Sequence, residues 1–338
     1  MKLQALPTLL AGSMALSSLS IEAAGFQEIE VSDAGFKNLN VGLWYPSDQA
    51  PPDSPNTKFG LPVALHAPVG KTNGSLIVIS HGYGGWYAGH ADTAAALADA
   101  GFIVAAPSHT GNTWSDMSSS IEQWTIDRPR HISKVIDQLS IDSQWGPLID
   151  PTKIGMYGFS AGGYTAIGLI GGVPDIAGAN AYCAEHPNEF VCAEGMIQSM
   201  FDKGMHNLPS SAWGADSRIN AAVISAPGLA FAYTEESLKD VRADVQLWSG
   251  ELDESVPTSS NAAVLAQRLP KAPDTHWVEN ATHFAFMIVA CREAFKNEDP
   301  VEYEMVCGDP EGFDRLAFHD DMHQQMIGFY SNSFSLNE

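Results

Sequence analysis

Basic residues are scarce in this chain. Seventeen Lys and Arg stand against 40 Asp and Glu, giving a formal net charge of −23 over 338 residues. So acidic a surface repels phosphate backbones, which argues against nucleic acid as a partner. Cysteine is scarce too: Cys183, Cys192, Cys291 and Cys307 are all there are. No Cys-x-x-Cys occurs and the spacing resembles no zinc site, so no metal is expected. There is no fixed-period repeat, low-complexity tract or long run of one charge, which excludes solenoids and disordered linkers. Beyond the first two dozen residues no segment is apolar enough to span a bilayer. What remains is a 45% hydrophobic chain able to bury a sizeable core, read as one α/β domain with insertions.

The start, MKLQALPTLLAGSMALSSLSIEAAGF, places Lys2 before an apolar stretch from about Leu3 to Leu19. Small residues follow, with a cleavage point at Ala23-Ala24. The run is short for a membrane span and is broken by Pro7 and Gly12, so residues 1–24 read as a secretory signal peptide and 25–338 as the mature domain. The segment has no cysteine to carry a lipid, and no stable membrane anchor is expected. A secreted or periplasmic location follows, and with it an oxidising compartment. Four cysteines allow three pairings. The short-range set, Cys183–Cys192 and Cys291–Cys307, is the most economical, stapling two irregular insertions.

Phe26–Ser32 and Leu39–Pro46 read as a leading pair of strands. SLIVISHG (Ser75–Gly82), FIVAAPSH (Phe102–His109) and KIGMYGFS (Lys153–Ser160) are continuous apolar runs of the buried parallel kind. Ile219–Gly228, Asp244–Gly250 and Asp274–Asn280 add three more. Helices are expected at His90–Gly101, at Pro129–Ile141 with Pro129 near its start, at Ala161–Gly171, at Val256–Pro270 and at His319–Phe334. Residues 172–218 and 284–318 show no clear periodicity and read as irregular, cap-like insertions. Strands alternating with helices predict a mostly parallel sheet covered on both faces, with its ligand site at the carboxyl ends of the strands.

One such end carries Gly158-Phe159-Ser160-Ala161-Gly162-Gly163, a Gly-x-Ser-x-Gly pattern between a buried strand and a helix. A serine hydroxyl is a poor nucleophile at neutral pH. It needs a base, a group to orient that base, and N–H donors for the oxyanion. The tight elbow tolerates only small neighbours, which the glycines supply. Acid and base are expected later, in that order. Asp253, in the turn after Asp244–Gly250, is the acid, with Glu251 its local alternative. His283, just past the last strand, is the base. Ala161 and Tyr83, the latter in SHGYGGW, are placed to donate oxyanion-hole amides. Trp86, Tyr87, Trp114 and Phe284, with Phe286 and Trp213, are candidates for an aromatic substrate cleft. Among other histidines, His81 shapes its turn and His109 lines the pocket. His90, His131, His276, His319 and His323 read as surface positions.

VISHGYGG, GFIVAAPSHTGNT, IGMYGFSAGG, WSGELDESVP and ENATHFAF, with AGFQEIEV and VGLWYPSD before them, resemble the α/β-hydrolase superfamily. Within it the chain looks like secreted dienelactone-hydrolase-like serine esterases, near the platelet-activating-factor acetylhydrolases. The resemblance spans about residues 25–335. It implies hydrolysis of a small-molecule or polymeric carboxylic ester by Ser160, Asp253 and His283, without a cofactor. Two departures stand out. Dienelactone hydrolases use cysteine where this chain has Ser160. The acetylhydrolases take their acid from the strand end that here reads VISAPGLAFA, which has none. Cutinases and polyester hydrolases share the layout and are the alternative.

Overall fold

The computed structural model describes residues 23–287, 291 and 293–335. The expected signal segment lies outside the described residues up to residue 22. Ala23 and Ala24 already belong to the fold. Both are buried; Ala23 N–H donates to Gln49 O, and Ala24 O accepts from Ala64 N–H, each at 2.9 Å.

In chain order the elements are β1 (Gly25–Val31), β2 (Leu39–Tyr45), β3 (Ala64–Leu65), β4 (Leu76–Ser80), α1 (Ala91–Asp99), β5 (Ile103–Pro107) and α2 (Ile121–Ile141). Then come β6 (Ile154–Phe159), α3 (Ala161–Leu169), α4 (Ile176–Glu185), α5 (Phe190–Ala193), α6 (Met196–Asp202) and β7 (Ile219–Ser225). The chain continues through α7 (Glu235–Leu238), β8 (Asp244–Gly250), α8 (Ala262–Arg268), β9 (Asp274–Val278), α9 (Glu293–Glu298), α10 (Pro300–Cys307) and α11 (Arg315–Ser335). Among the described residues these nine strands form one sheet in the order β3-β1-β2-β5-β4-β6-β7-β8-β9. β2 runs antiparallel to β1 and β5, whereas β4 to β9 are mutually parallel. The chain moves outward from β4 to β5, then crosses back to β6 on the other side of β4. Loops after β4 and β6 therefore diverge to opposite faces and leave a crevice between them.

Alternation along the central strands splits the core. Leu76, Val78, Met156, Ile224 and Leu247 pack under α2, α3 and α8, with Ile132, Ile136, Ile167 and Leu265. Ile77, Ile79, Val104, Tyr157 and Val223 face α1 and α11. On α11 the buried stripe is Met322, Met326, Tyr330 and Phe334, one residue per turn. Each such side chain stabilises the fold by about 1.5–3 kcal/mol. The Tyr330 hydroxyl donates to Met156 O at 2.6 Å, so its buried end is satisfied.

Four expectations need correction. α2 begins eight residues before Pro129, which sits in its interior. The missing N–H costs one intrahelical bond, and the ring lies against Gly214, where an added Cβ would come within 2.6 Å of it. α8 is shorter than its expected span, because residues 258–261 form turns instead. Residues 172–218 are not irregular: they hold α4, α5 and α6, too short to leave a periodic trace, anchored by buried Ile176, Ala179, Ile197 and Met200. α9 and α10 likewise occupy much of 284–318. The two disulfides are Cys183–Cys192, tying α4 to α5, and Cys291–Cys307, as spacing suggested.

Candidate active site

The carboxyl ends of β4, β6 and β7 lie within one residue of one another, and β8 and β9 run two residues further. Ser80 pairs with Gly158, Phe159 with Ser225, and Gly250 with Val278. The residues that follow share one rim.

Ser160 is the hinge of the β6–α3 turn, with φ +54° and ψ −115°. A non-glycine residue there is strained, of order 1–3 kcal/mol, and persists only when over-determined. Its N–H donates to Ser225 O at 3.0 Å, and its carbonyl accepts from Gly163, Tyr164 and Gly228 at 2.8, 3.1 and 3.0 Å. Glycine is needed on either side for a countable reason. A Cβ at Gly158 would lie 2.2 Å from Gly162 O, and one at Gly162 would lie 1.9 Å from Ser80 O.

Asp253 follows β8 and His283 follows β9. Gly250 lets the two loops touch: a Cβ there would sit 2.3 Å from Ala281 O, and Leu252 N–H donates to Ala281 O at 3.0 Å. His283 Nδ1 lies 2.7 Å from Asp253 Oδ2, and Nε2 lies 3.1 Å from Ser160 Oγ. A carboxylate only accepts, so Nδ1 carries the proton and Nε2 offers its lone pair to the hydroxyl. Asp253 Oδ1 takes the Val256 N–H at 2.7 Å, fixing the carboxylate plane. Asp253 and His283 are both buried, whereas Ser160 keeps partial access to solvent. Of the alternative acids, Glu251 is exposed and Asp244 lies at the far end of its strand, paired with Lys271.

Ala161 opens α3, so its N–H has no partner within the helix. Tyr83 follows β4 with an exposed ring. Behind Tyr83 lies a residue not singled out from sequence. Arg128, on α2, is fully buried, and its Nη2 donates to the carbonyls of His81 and Gly82 at 2.5 and 3.0 Å. Among the described residues no carboxylate pairs with it, and its Nε and Nη1 have no hydrogen-bond partner. Burial pulls its pKa down to about 9, which leaves it charged at neutral pH. Its signal was the spacing Trp124, Arg128, Ile132: an arginine on an apolar helix stripe.

A chain of neutral histidines continues inward. His81 Nε2 accepts the His109 N–H at 3.1 Å, so its proton is on Nδ1 and goes to Gly82 O at 2.7 Å. Arg130 donates to His131 Nε2 at 3.2 Å, His131 Nδ1 faces His109 Nδ1 at 3.2 Å, and His109 Nε2 meets Ser80 Oγ at 2.9 Å. Burial, and then Arg128, hold His81 and His109 well below the usual histidine range. Burial and Arg130 hold His131 at about 4. His109 is thus a buried network member rather than a pocket wall, and His131 is not a surface residue.

His90, His319 and His323 are also buried, against expectation. They sit behind the His283 turn. His319 Nε2 reaches Ala285 O at 2.8 Å, and His90 Nδ1 reaches Phe286 O at 3.1 Å. Partners so distant in sequence give a helix pattern no hint of burial.

The aromatic candidates separate. Trp114 is 72% exposed, Phe284 is half-buried against the His283 ring, and Trp86 is half-buried. Tyr87 does not line a cleft: it is 2% exposed, stacked on Phe26 and beside Trp44 in the core. Trp213 and Phe286 are core residues as well.

No protein-family profile matches the chain. A segment of 181 residues, 52% of the chain, is 26% identical to a poly(3-hydroxybutyrate) depolymerase of Ralstonia pickettii. The match spans 35% of that protein's length. Among solved structures, a ferulic acid esterase from Streptomyces cinnamoneus superposes with a TM-score of 0.58 at 16% identity, over 95% of this chain and 93% of that one. That likeness shows the fold: a mostly parallel, helix-covered sheet of the α/β-hydrolase type.

Proposed function

We propose that the protein is a serine hydrolase of carboxylic esters, with Ser160, Asp253 and His283 as its triad. One observation carries the reading: His283 is hydrogen-bonded through one nitrogen to a buried carboxylate and through the other to the hydroxyl of a strained elbow serine. Ser160 Oγ attacks the ester carbonyl while His283 Nε2 takes its proton, and Asp253 stabilises the imidazolium. The tetrahedral oxyanion is held by the Ala161 and Tyr83 amides. His283 then protonates the leaving alkoxide. A water, deprotonated by His283, releases the acid from Ser160. No step calls for a metal or organic cofactor.

Arg128 belongs to this machinery as a positioning residue. The Gly82–Tyr83 peptide is trans, so its C=O and N–H point in opposite directions. Arg128 and His81 hold the C=O from behind, which aims the Tyr83 N–H outward.

The substrate class we favour is an extended aliphatic or aryl ester, including polyesters. The partial likeness to a depolymerase and the exposed rings of Tyr83 and Trp114 support it. The serine at the elbow speaks against dienelactone hydrolysis. An acid after β8 rather than β7 speaks against a phospholipid acetylhydrolase. Two disulfides fit an exported protein, and among the described residues no helix is long and apolar enough to cross a membrane. The test is hydrolysis of p-nitrophenyl esters from acetate to palmitate, alongside clearing of a poly(3-hydroxybutyrate) suspension, by wild type and Ser160→Ala. Loss of all turnover in the folded mutant is expected. Turnover retained by Ser160→Ala overturns the assignment, and failure on the polymer alone overturns only the polyester arm.

A further inference from the structure

We propose a divalent metal site, with zinc as its ion, formed by Asp92, His319 and His323. Nothing in the proposed ester chemistry uses it, and it stands whether or not that reading holds. Asp92 lies on α1, and the two histidines lie one turn apart on α11, facing it. One ligand atom from each residue can be chosen so that all three lie within 4.8 Å of one another. Asp92 Oδ2 is 2.6 Å from His319 Nδ1 and 4.0 Å from His323 Nε2. Zinc bonds of about 2.0–2.2 Å in a tetrahedron put ligand atoms roughly 3.3 Å apart. The observed separations straddle that edge, so side-chain adjustment alone closes the site.

Two further details fit a metal better than a plain ion pair. Asp92 Oδ1 is buried and makes no hydrogen bond within normal geometry among the described residues, which leaves a second oxygen available to a cation. His319 presents Nε2–H to Ala285 O at 2.8 Å, the outer hydrogen bond that orients a metal-bound imidazole. His323 Nε2 lies 3.0 Å from the Thr93 hydroxyl; a zinc ion would take the single Nε2 lone pair, and the hydroxyl would turn its O–H away. Two imidazoles and one carboxylate suit zinc over magnesium or calcium, which prefer all-oxygen shells. On binding, the metal takes the place of the proton between His319 Nδ1 and Asp92, and that proton leaves to solvent. The ion would cross-link α1 to α11 and, through His319, brace the turn that carries His283.

The test uses the full chain, stripped with dipicolinate, desalted and titrated with zinc chloride by calorimetry, with cobalt(II) as the spectroscopic probe. One equivalent should bind, cobalt should give the visible d–d bands of a tetrahedral nitrogen–oxygen site, and zinc should raise Tm. His323→Gln and Asp92→Asn should each weaken zinc at least tenfold and abolish the Tm rise. A natively folded wild type that takes up no zinc overturns the proposal. So does zinc binding equally to wild type and a folded variant, which would put the ion elsewhere. Should one variant fail to fold, the other and the wild-type titration still decide.

Discussion

Replacing Arg128 with Met tests how the proposed oxyanion loop is held. The substitution keeps the stem's volume in a fully buried site and removes the Nη2 donor from the His81 and Gly82 carbonyls. Losing the Tyr83 amide outright would cost kcat about 10²–10³-fold, or about 2.7–4 kcal/mol. That is the ceiling, because His81 Nδ1–H remains on Gly82 O at 2.7 Å and keeps part of the aim. One charge-assisted hydrogen bond contributes about 1.5–3 kcal/mol, so kcat should fall about 10- to 100-fold with KM little changed. Stability should change little, since the guanidinium has no counter-charge among the described residues and an apolar side chain removes its desolvation cost, which offsets the donor lost by the buried His81 carbonyl. Arg128→Lys, with one compact donor group in place of a fork, should fall between. The assay is the kcat and KM of p-nitrophenyl butyrate hydrolysis beside thermal melts. An Arg128→Met enzyme with wild-type kcat refutes the positioning argument. So does an activity loss that tracks a lowered Tm.

Asp253→Asn should leave the fold intact and lower kcat about 10⁴-fold, because an amide can donate to Nδ1 and favours the wrong tautomer; stopped assays at high enzyme concentration would measure it, and a loss below tenfold would count against the triad. Gly162→Ala should be destabilised by several kcal/mol or fail to fold, since its Cβ would lie 1.9 Å from the Ser80 carbonyl; soluble protein with an unchanged urea midpoint would contradict this. His131 should make the protein acid-sensitive. Its folded value, about 4 against an ordinary 6.5, means the unfolded chain binds the proton first, so stability is full above pH 6.5 and falls as pH drops towards 4. At about 1.4 kcal/mol per pH unit, the loss approaches about 3 kcal/mol. Urea midpoints of His131→Gln should decline less between pH 7 and 4.5 than those of wild type; parallel declines would rule this histidine out as the cause.

Local signals made the elbow legible. A buried apolar strand, a serine flanked by glycines and a small-residue helix are neighbours in sequence, and the same steric need explains each glycine. Asp253 and His283 were proposed through order alone, because each is on the first loop past a strand end. What sequence hid was polar burial. His319 contacts Asp92 across 227 residues and His90 contacts Phe286 across 196, so nothing nearby marks them as interior. A polar residue on a helix reads as a wet face until its distant partner is known. Tyr87 misled for the opposite reason: it follows the oxyanion loop directly, yet the chain turns inward at that point and seats the ring among Phe26 and Trp44. Short helices such as α5 and α6 repeat their pattern too few times to be seen.

The proposed triad is unevenly supported. Ser160 rises from β6 in the middle of the sheet, gripped by strands on both sides, whereas His283 hangs from β9, which closes the row with one edge unpaired. Edges open at lower free energy than centres. If these roles hold, warming should detach His283 while Ser160 still stands in its elbow, and ester hydrolysis should fade some degrees before the sheet melts. His90, just before α1, and His319 on α11, which grip Phe286 and Ala285, lie at this weak flank, so the distance between the temperature of inactivation and the temperature of unfolding is a direct reading of how well they hold.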